Sequence, residues 1–426
     1  MPDLTAGQLP RLQNHRLPGL DLGEEFIYPK YDNQSILNLP STVCHLLGVP
    51  GLGAGPLAPE ILTPLGAARR VIMVLMDALA LHRLRQWSMD GTAPLWARLA
   101  EQGWLVPLTS IVPSTTSSAL TTLWTGRSTA EHGVAGYELW LKEYGVVANM
   151  IFHSPASFQN EMGTLSKAGF KPETFLPFPT LGTHLLEHGV NSYAFQHRSI
   201  AKSLLSQMLF KDVEVLSIGT PADLWVNVRL LLQNRPAEQQ YIWVYWGELD
   251  HYSHYYGPDD EHPAAEFSSF THALENQLLN RLSPQSRQDT LLILTADHGA
   301  ISTLWKANYE LSDHPGFTRQ LHILPTGEGR FAYLHQHPGQ SDVIRKYIER
   351  AWPGQFRLVD PAFAVAKGLF GPGEPHPRLA DRLGEAIAVS RGQAYWWWAD
   401  KENRLLGRHG GLSAEEMLVP FLAVRL

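Results

Sequence analysis

Three aspartates and three histidines stand directly after, or just before, short apolar runs, and that placement is the first chemical signal in the chain. Asp77 follows Val71–Met76, and Asp250 and His254 follow Tyr241–Trp246 in a Gly-Glu-Leu-Asp-His-Tyr-Ser-His string. Asp297 and His298 follow Thr290–Thr295 within Thr-Ala-Asp-His-Gly-Ala, and His409 lies shortly before the last apolar run. Taken singly, each has a plain structural explanation. An aspartate after a strand is commonly a turn or helix cap, and an Asp–His pair four residues apart often only supports a helix. Jointly they bring three carboxylates and three imidazoles to one edge. Three carboxylates without countercharge cost several kcal/mol in repulsion and desolvation, so bound cations are their natural partners. Mixed carboxylate and imidazole donors suit zinc, manganese or iron better than calcium.

A second signal is the hydroxyl-rich stretch IVPSTTSSALTTLWTG at 111–126. An apolar segment runs into a Ser/Thr turn and then into a helical pattern. Backbone N–H groups at such a helix start favour an anion. A hydroxyl beside a divalent cation can ionise at neutral pH and attack phosphorus. Ser114, Thr115, Thr116 and Ser117 are all candidates, against the simpler reading of a Ser/Thr helix cap.

These residues need a scaffold that aligns their strand ends. The runs Val71–Met76, Leu105–Val112, Tyr241–Trp246 and Thr290–Thr295 alternate with helical patterns at 94–102, 117–124, 222–233 and 264–282. That alternation predicts an α/β fold: a doubly wound, mostly parallel sheet with helices on both faces, whose strand ends line one crevice. Residues 1–68 read as an irregular arm with a Pro/Gly-dense linker at 49–66. Residues 69–304 and 401–426 form the expected catalytic core, the final apolar run returning to the main sheet. From 305 to 400 the rhythm breaks into short runs and Pro/Gly clusters, an inserted lobe expected to shape the substrate pocket, as is the stretch from Phe152 to Phe178. Tyr252, Tyr255 and Tyr256 are candidates to stack on a substrate ring, or to pack.

Composition closes several alternatives. With 34 basic against 41 acidic residues the net charge is −7, which argues against binding a nucleic-acid duplex. Cys44 is the only cysteine among 426 residues, so no internal disulfide or cysteine-built metal site exists. No apolar run reaches the ~20 residues of a membrane span. Residues 1–10 lack the layout of a signal peptide, and the expected location is cytoplasmic.

The ordered motifs resemble the alkaline phosphatase superfamily, and within it the type I phosphodiesterase/nucleotide pyrophosphatase branch. The shared order is an Asp after the first strand, Pro-x-x-Thr before a helix, Asp-x-x-x-His, Asp-His-Gly and a late His. In that branch the nucleophilic Thr lies ten positions before a Gly. Here 126 − 116 = 10, so the resemblance selects Thr116. It implies that Asp77, Thr116, Asp297 and His298 hold one of two divalent metal ions, zinc or manganese. Asp250, His254 and His409 would hold the other. Ala119 stands where the branch usually has an Asn that donates to a phosphoryl oxygen. The string from His409 to Pro420 also resembles cofactor-independent phosphomutases, whereas the Cys/Ser-x-Pro-x-Arg signature of sulfatases is missing.

The expected activity is therefore metal-dependent hydrolysis of a small phosphate ester or nucleotide-like substrate, with Thr116 as nucleophile. The alternatives are a phosphomonoesterase, a cofactor-independent phosphomutase, and a metal-binding protein without activity.

Overall fold

The computed structural model describes residues 3–157 and 162–426. Its main sheet has seven strands. Their spatial order is Trp104–Thr109, Leu418–Arg425, Thr290–Thr295, Arg70–Met76, Gln240–Trp246, Asn191–His197 and Glu214–Ile218. Arg70–Met76 pairs in parallel with both Gln240–Trp246 and Thr290–Thr295. All three strands are buried along their whole length, which is why they read as continuous apolar runs without alternation.

The register brings their carboxyl ends level. Met76 lies opposite Trp246, and Leu75 opposite Thr295. The last strand runs antiparallel to its two neighbours, Leu418 facing Thr109 and Phe421 facing Thr295. Its beginning therefore meets the carboxyl ends of the parallel strands. This inversion carries the loop containing His409 to the same edge as Asp77, Asp250 and Asp297.

Helices flank the sheet. Thr116–Thr125 is buried throughout, and the Trp124 ring meets Phe210 and Trp243 edge-on at 4.7 and 5.4 Å. The helix stops at Gly126, whose φ of 63° is left-handed. A Cβ there would lie 2.2 Å from the Leu52 carbonyl oxygen, so only glycine fits both the turn and the close approach. The pattern at 264–282 is realised as the helix Glu261–Ala273, continued by a π turn at Leu274–Leu278 and a 3₁₀ turn at Leu279–Arg281.

The expected irregular arm is partly helical, with helices at Thr5–Gln13 and Leu39–Leu46. Leu39, Val43 and Leu46 recur at helical spacing and are fully buried. Pro40 sits in the first turn, where a missing N–H costs nothing. The Pro/Gly density of the following residues had masked that pattern.

A second seven-stranded sheet is antiparallel in every pair. Four strands come from 326–390, and the other three from 138–155. A buried ion pair joins the two sheets' regions: Arg330 Nε and Nη2 donate to the Glu416 carboxylate at 2.7 and 2.9 Å. Among the described residues no helix is long and apolar enough to cross a membrane.

Candidate active site

Each candidate residue reaches the sheet edge by a different local device. Asp77 directly follows its strand, and its N–H donates to the Trp246 carbonyl at 3.0 Å. Ala78 then takes a φ of 62°, an uncommon conformation for a residue with a Cβ, costing on the order of 1–2 kcal/mol. That turn lets the Ala78 N–H donate to Asp297 Oδ1 at 3.3 Å. Asp250 and His254 lie four apart on the helix Glu248–Tyr256 and so share one face. Asp297 and His298 occupy the turn after Thr295, and the His298 N–H donates to Asp297 Oδ1 at 3.0 Å. Thr116 is the first residue of its helix, behind the extended Thr115. Its hydroxyl lies 3.4 Å from Asp77 Oδ2 and 3.1 Å from His298 Nε2.

The three imidazoles are oriented alike. Nδ1 of His298 lies 3.0 Å from the Gly299 carbonyl, that of His254 2.8 Å from Gly407, and that of His409 3.2 Å from Ser114. A carbonyl only accepts, so each Nδ1 carries a proton, and in the neutral ring Nε2 keeps its lone pair. Those lone pairs face carboxylates. His298 Nε2 is 3.5 Å from both Asp77 and Asp297, His254 Nε2 is 3.3 Å from Asp250, and His409 Nε2 is 3.7 Å from Asp250.

Lone pairs opposed to carboxylate oxygens repel unless a cation lies between them. Asp77 Oδ1, Asp250 Oδ1 and Asp297 Oδ2 are buried without a hydrogen-bond partner, a costly state for charged oxygens. Two compact donor groups result, Asp77–Asp297–His298 and Asp250–His298–His409. His298 belongs to both, and His254 reaches Asp250 from outside the second group. This donor set fits divalent cations of the zinc or manganese kind.

Electrostatics point the same way. Burial, then the charges of Asp297 and Asp250, raises Asp77 well above the usual carboxylate range. Burial and Asp250 push Asp297 up to about 7. Burial, with His298 and His254 beside it, holds His409 well below an ordinary imidazole. A bound cation would reverse the two carboxyl shifts, and the neutral form favoured at His409 is the one that can bind it.

Three further residues are not evident from motif reading. The Tyr245 hydroxyl donates to Asp77 Oδ2; its strand is legible, but not the direction of its ring. Glu328, from the second sheet, accepts from the Thr115 hydroxyl at 2.5 Å and from the Tyr137 N–H at 3.1 Å. Glu416 accepts from the Gly411 N–H at 2.8 Å and so braces the His409 loop against Arg330. No sequence signal marks Glu328, because its partners are 191 and 213 positions away.

Ala119 is fully buried in the hydrophobic core and does not line the cleft. The residue of this helix that joins Thr116 in the cleft wall is Leu120.

That cleft has a volume of about 310 Å³ and is walled by Ile151, Phe152, Leu120, Gln196 and Phe210 beside Asp77 and Asp250. Its lining comes from 151–152, 196–210 and 245–251, not from 305–400, which reaches the site through Glu328. Of the expected Phe152–Phe178 contribution, residues 158–161 lie outside the described residues. Tyr252, Tyr255 and Tyr256 do not line it. Tyr255 and Tyr256 are exposed, and Tyr256 stacks on His262 at 3.7 Å, because the helix face bearing Asp250 and His254 points the other way.

Comparison with known proteins places this geometry in context. The family model described as type I phosphodiesterase / nucleotide pyrophosphatase matches residues 71–412. No curated protein sequence matches the chain. Among solved structures, murine ectonucleotide pyrophosphatase / phosphodiesterase 5 is similar with a TM-score of 0.60 at 18% identity, covering 83% of this chain and 87% of that one. Phosphonoacetate hydrolase from Sinorhizobium meliloti gives 0.59 at 19% identity, covering 84% and 90%. At these identities the likeness establishes the alkaline phosphatase-like fold.

Proposed function

The chain belongs to the type I phosphodiesterase / nucleotide pyrophosphatase family, and on that premise we propose that it hydrolyses a phosphodiester through in-line attack by Thr116. The observation that carries this reading is the position of the Thr116 hydroxyl, at a helix start and within 3.1 and 3.4 Å of His298 and Asp77. Asp77, Thr116, Asp297 and His298 would hold one divalent cation, and Asp250, His254 and His409 the second. Two such ions, when bound, acidify the hydroxyl and neutralise charge developing on the attacked phosphate.

The chain's own groups perform the rest. Asp77 Oδ2 is placed to draw the Thr116 proton, while the Tyr245 hydroxyl holds that carboxylate in orientation. The free N–H groups at the start of Thr116–Thr125 face the phosphoryl oxygens with the positive end of the helix. Attack forms the Thr116 Oγ1–P bond and breaks the bond to the leaving oxygen, which takes a proton from solvent water and departs as the alcohol or phenol, while Asp77 returns its proton to solvent. Water then displaces Thr116 from phosphorus and regenerates its hydroxyl. Support for a small phosphate ligand comes from the murine relative, solved in inactive form in complex with AMP.

The test is Thr116→Ala. Turnover of an aryl phosphodiester should vanish while fold and most metal binding persist. Near-wild-type turnover by this variant would refute the covalent route.

A further inference from the structure

Among the described residues, no lysine or arginine lines the cleft beside Thr116. Of its 19 lining residues, the charged ones are Asp77, Glu248 and Asp250, and the only nitrogen bases are His197 and His251. Arg198 and Lys202 of the wall segment are exposed and do not line the cleft, and two buried arginines are committed elsewhere. Arg330 is bound to Glu416 and the Ala394 carbonyl, and Arg408 to Thr303, Leu405 and Asn403.

The remaining wall is apolar and neutral. Leu120, Leu205, Leu209 and Phe210 are buried at its base, with Ile151 and Phe152 partly exposed at its edge. Gln196 is 2% exposed, and only its Oε1 is bonded, by the Ser206 hydroxyl at 3.0 Å. Its amide NH₂ makes no hydrogen bond among the described residues and is a neutral donor available to a ligand.

Resting on the phosphodiesterase reading, we propose that this cleft selects esters whose organic group is uncharged and apolar, ring-sized, and able to accept a hydrogen bond from Gln196. Esters bearing an additional carboxylate or phosphate are rejected. With two divalent cations bound, the charges of the three aspartates and the ionised Thr116 would be balanced, leaving the reacting phosphodiester anion facing Glu248. A further anion on the substrate meets Glu248 and the apolar wall and finds no lysine or arginine among the lining residues, so its lost hydration is not replaced.

The test compares phenyl p-nitrophenyl phosphate with 4-carboxyphenyl p-nitrophenyl phosphate, which differ only by one carboxylate. Metal-loaded full-length protein should favour the phenyl ester by about tenfold or more in kcat/KM. Calorimetric titration of Thr116→Ala with the same two esters should show the same order of affinity without turnover. Ser199→Arg, which adds a cation at the exposed rim, should narrow the preference at least about threefold. Equal use of both esters, tighter binding of the carboxylated one, or an unchanged ratio in Ser199→Arg would overturn the proposal. Ordered binding without hydrolysis of either ester would instead refute the phosphodiesterase reading and leave the selectivity standing.

Discussion

The imidazoles of His298 and His409 stack 3.9 Å apart with their planes 22° from parallel. One comes from the turn after a parallel strand and the other from the loop before the antiparallel strand, so the stack ties together two segments 111 positions apart (409 − 298). His298 also belongs to both donor groups. Its Nε2 is a single donor and can serve only one cation, so loss of His298 should weaken the site it shares with Asp77 and Asp297, and loss of His254 the other. Elemental analysis after metal loading should approach two equivalents for the wild type. It should fall toward one for His254→Ala and for His298→Ala alike.

Tyr245 is expected to act through Asp77. Removing the hydroxyl in Tyr245→Phe deletes a hydrogen bond to a carboxylate, a contact of about 1.5–3 kcal/mol. kcat/KM should fall roughly tenfold or more, with the unfolding midpoint little changed. An unaltered kcat/KM would remove Tyr245 from the proposed mechanism.

The Arg330–Glu416 pair is fully buried on both sides. Breaking it leaves one buried charge unpaired, at a cost of about 3–5 kcal/mol. Arg330→Ala should lose stability on that scale in urea denaturation. It should also lower affinity for the cation that His409 would hold, because Glu416 braces the preceding loop.

Glu328 supplies a pH signature. Burial, opposed by its bonds to Thr115 and Tyr137, pushes its carboxyl up to about 8 from an ordinary 4.5. A carboxyl raised in the folded state binds its proton more tightly there than when unfolded. Its contribution is complete below about pH 4.5 and is lost as pH rises through about 8. Metal-free protein should become less stable across that window, and Glu328→Gln should flatten the trend. Thermal unfolding of both proteins between pH 5 and 9 checks this.

A monoester dianion brings one more charge than a diester into a cleft without a cationic side chain. The phenyl diester should exceed p-nitrophenyl phosphate by at least about tenfold in kcat/KM under identical metal loading. A tenfold preference for the monoester would favour a phosphatase or mutase.

What the sequence determined by itself was the local chemistry. Buried parallel strands must be apolar on both faces, so Val71–Met76, Tyr241–Trp246 and Thr290–Thr295 were legible as strands, and the acidic and imidazole residues behind them as one set. The helix start at Thr116 and the i,i+4 pair of Asp250 and His254 follow from short-range patterns too. Tertiary structure decided what depends on distant partners. Only the fold buries Leu39–Leu46 as a helix, turns Ala119 into the core, and aims Tyr255 and Tyr256 at solvent. Only the fold carries Glu328 to Thr115 and Arg330 to Glu416 from another sheet. Periodicity reports which face of one element is apolar. It carries no information on which other element covers that face, because that choice is made by packing between residues far apart in the chain.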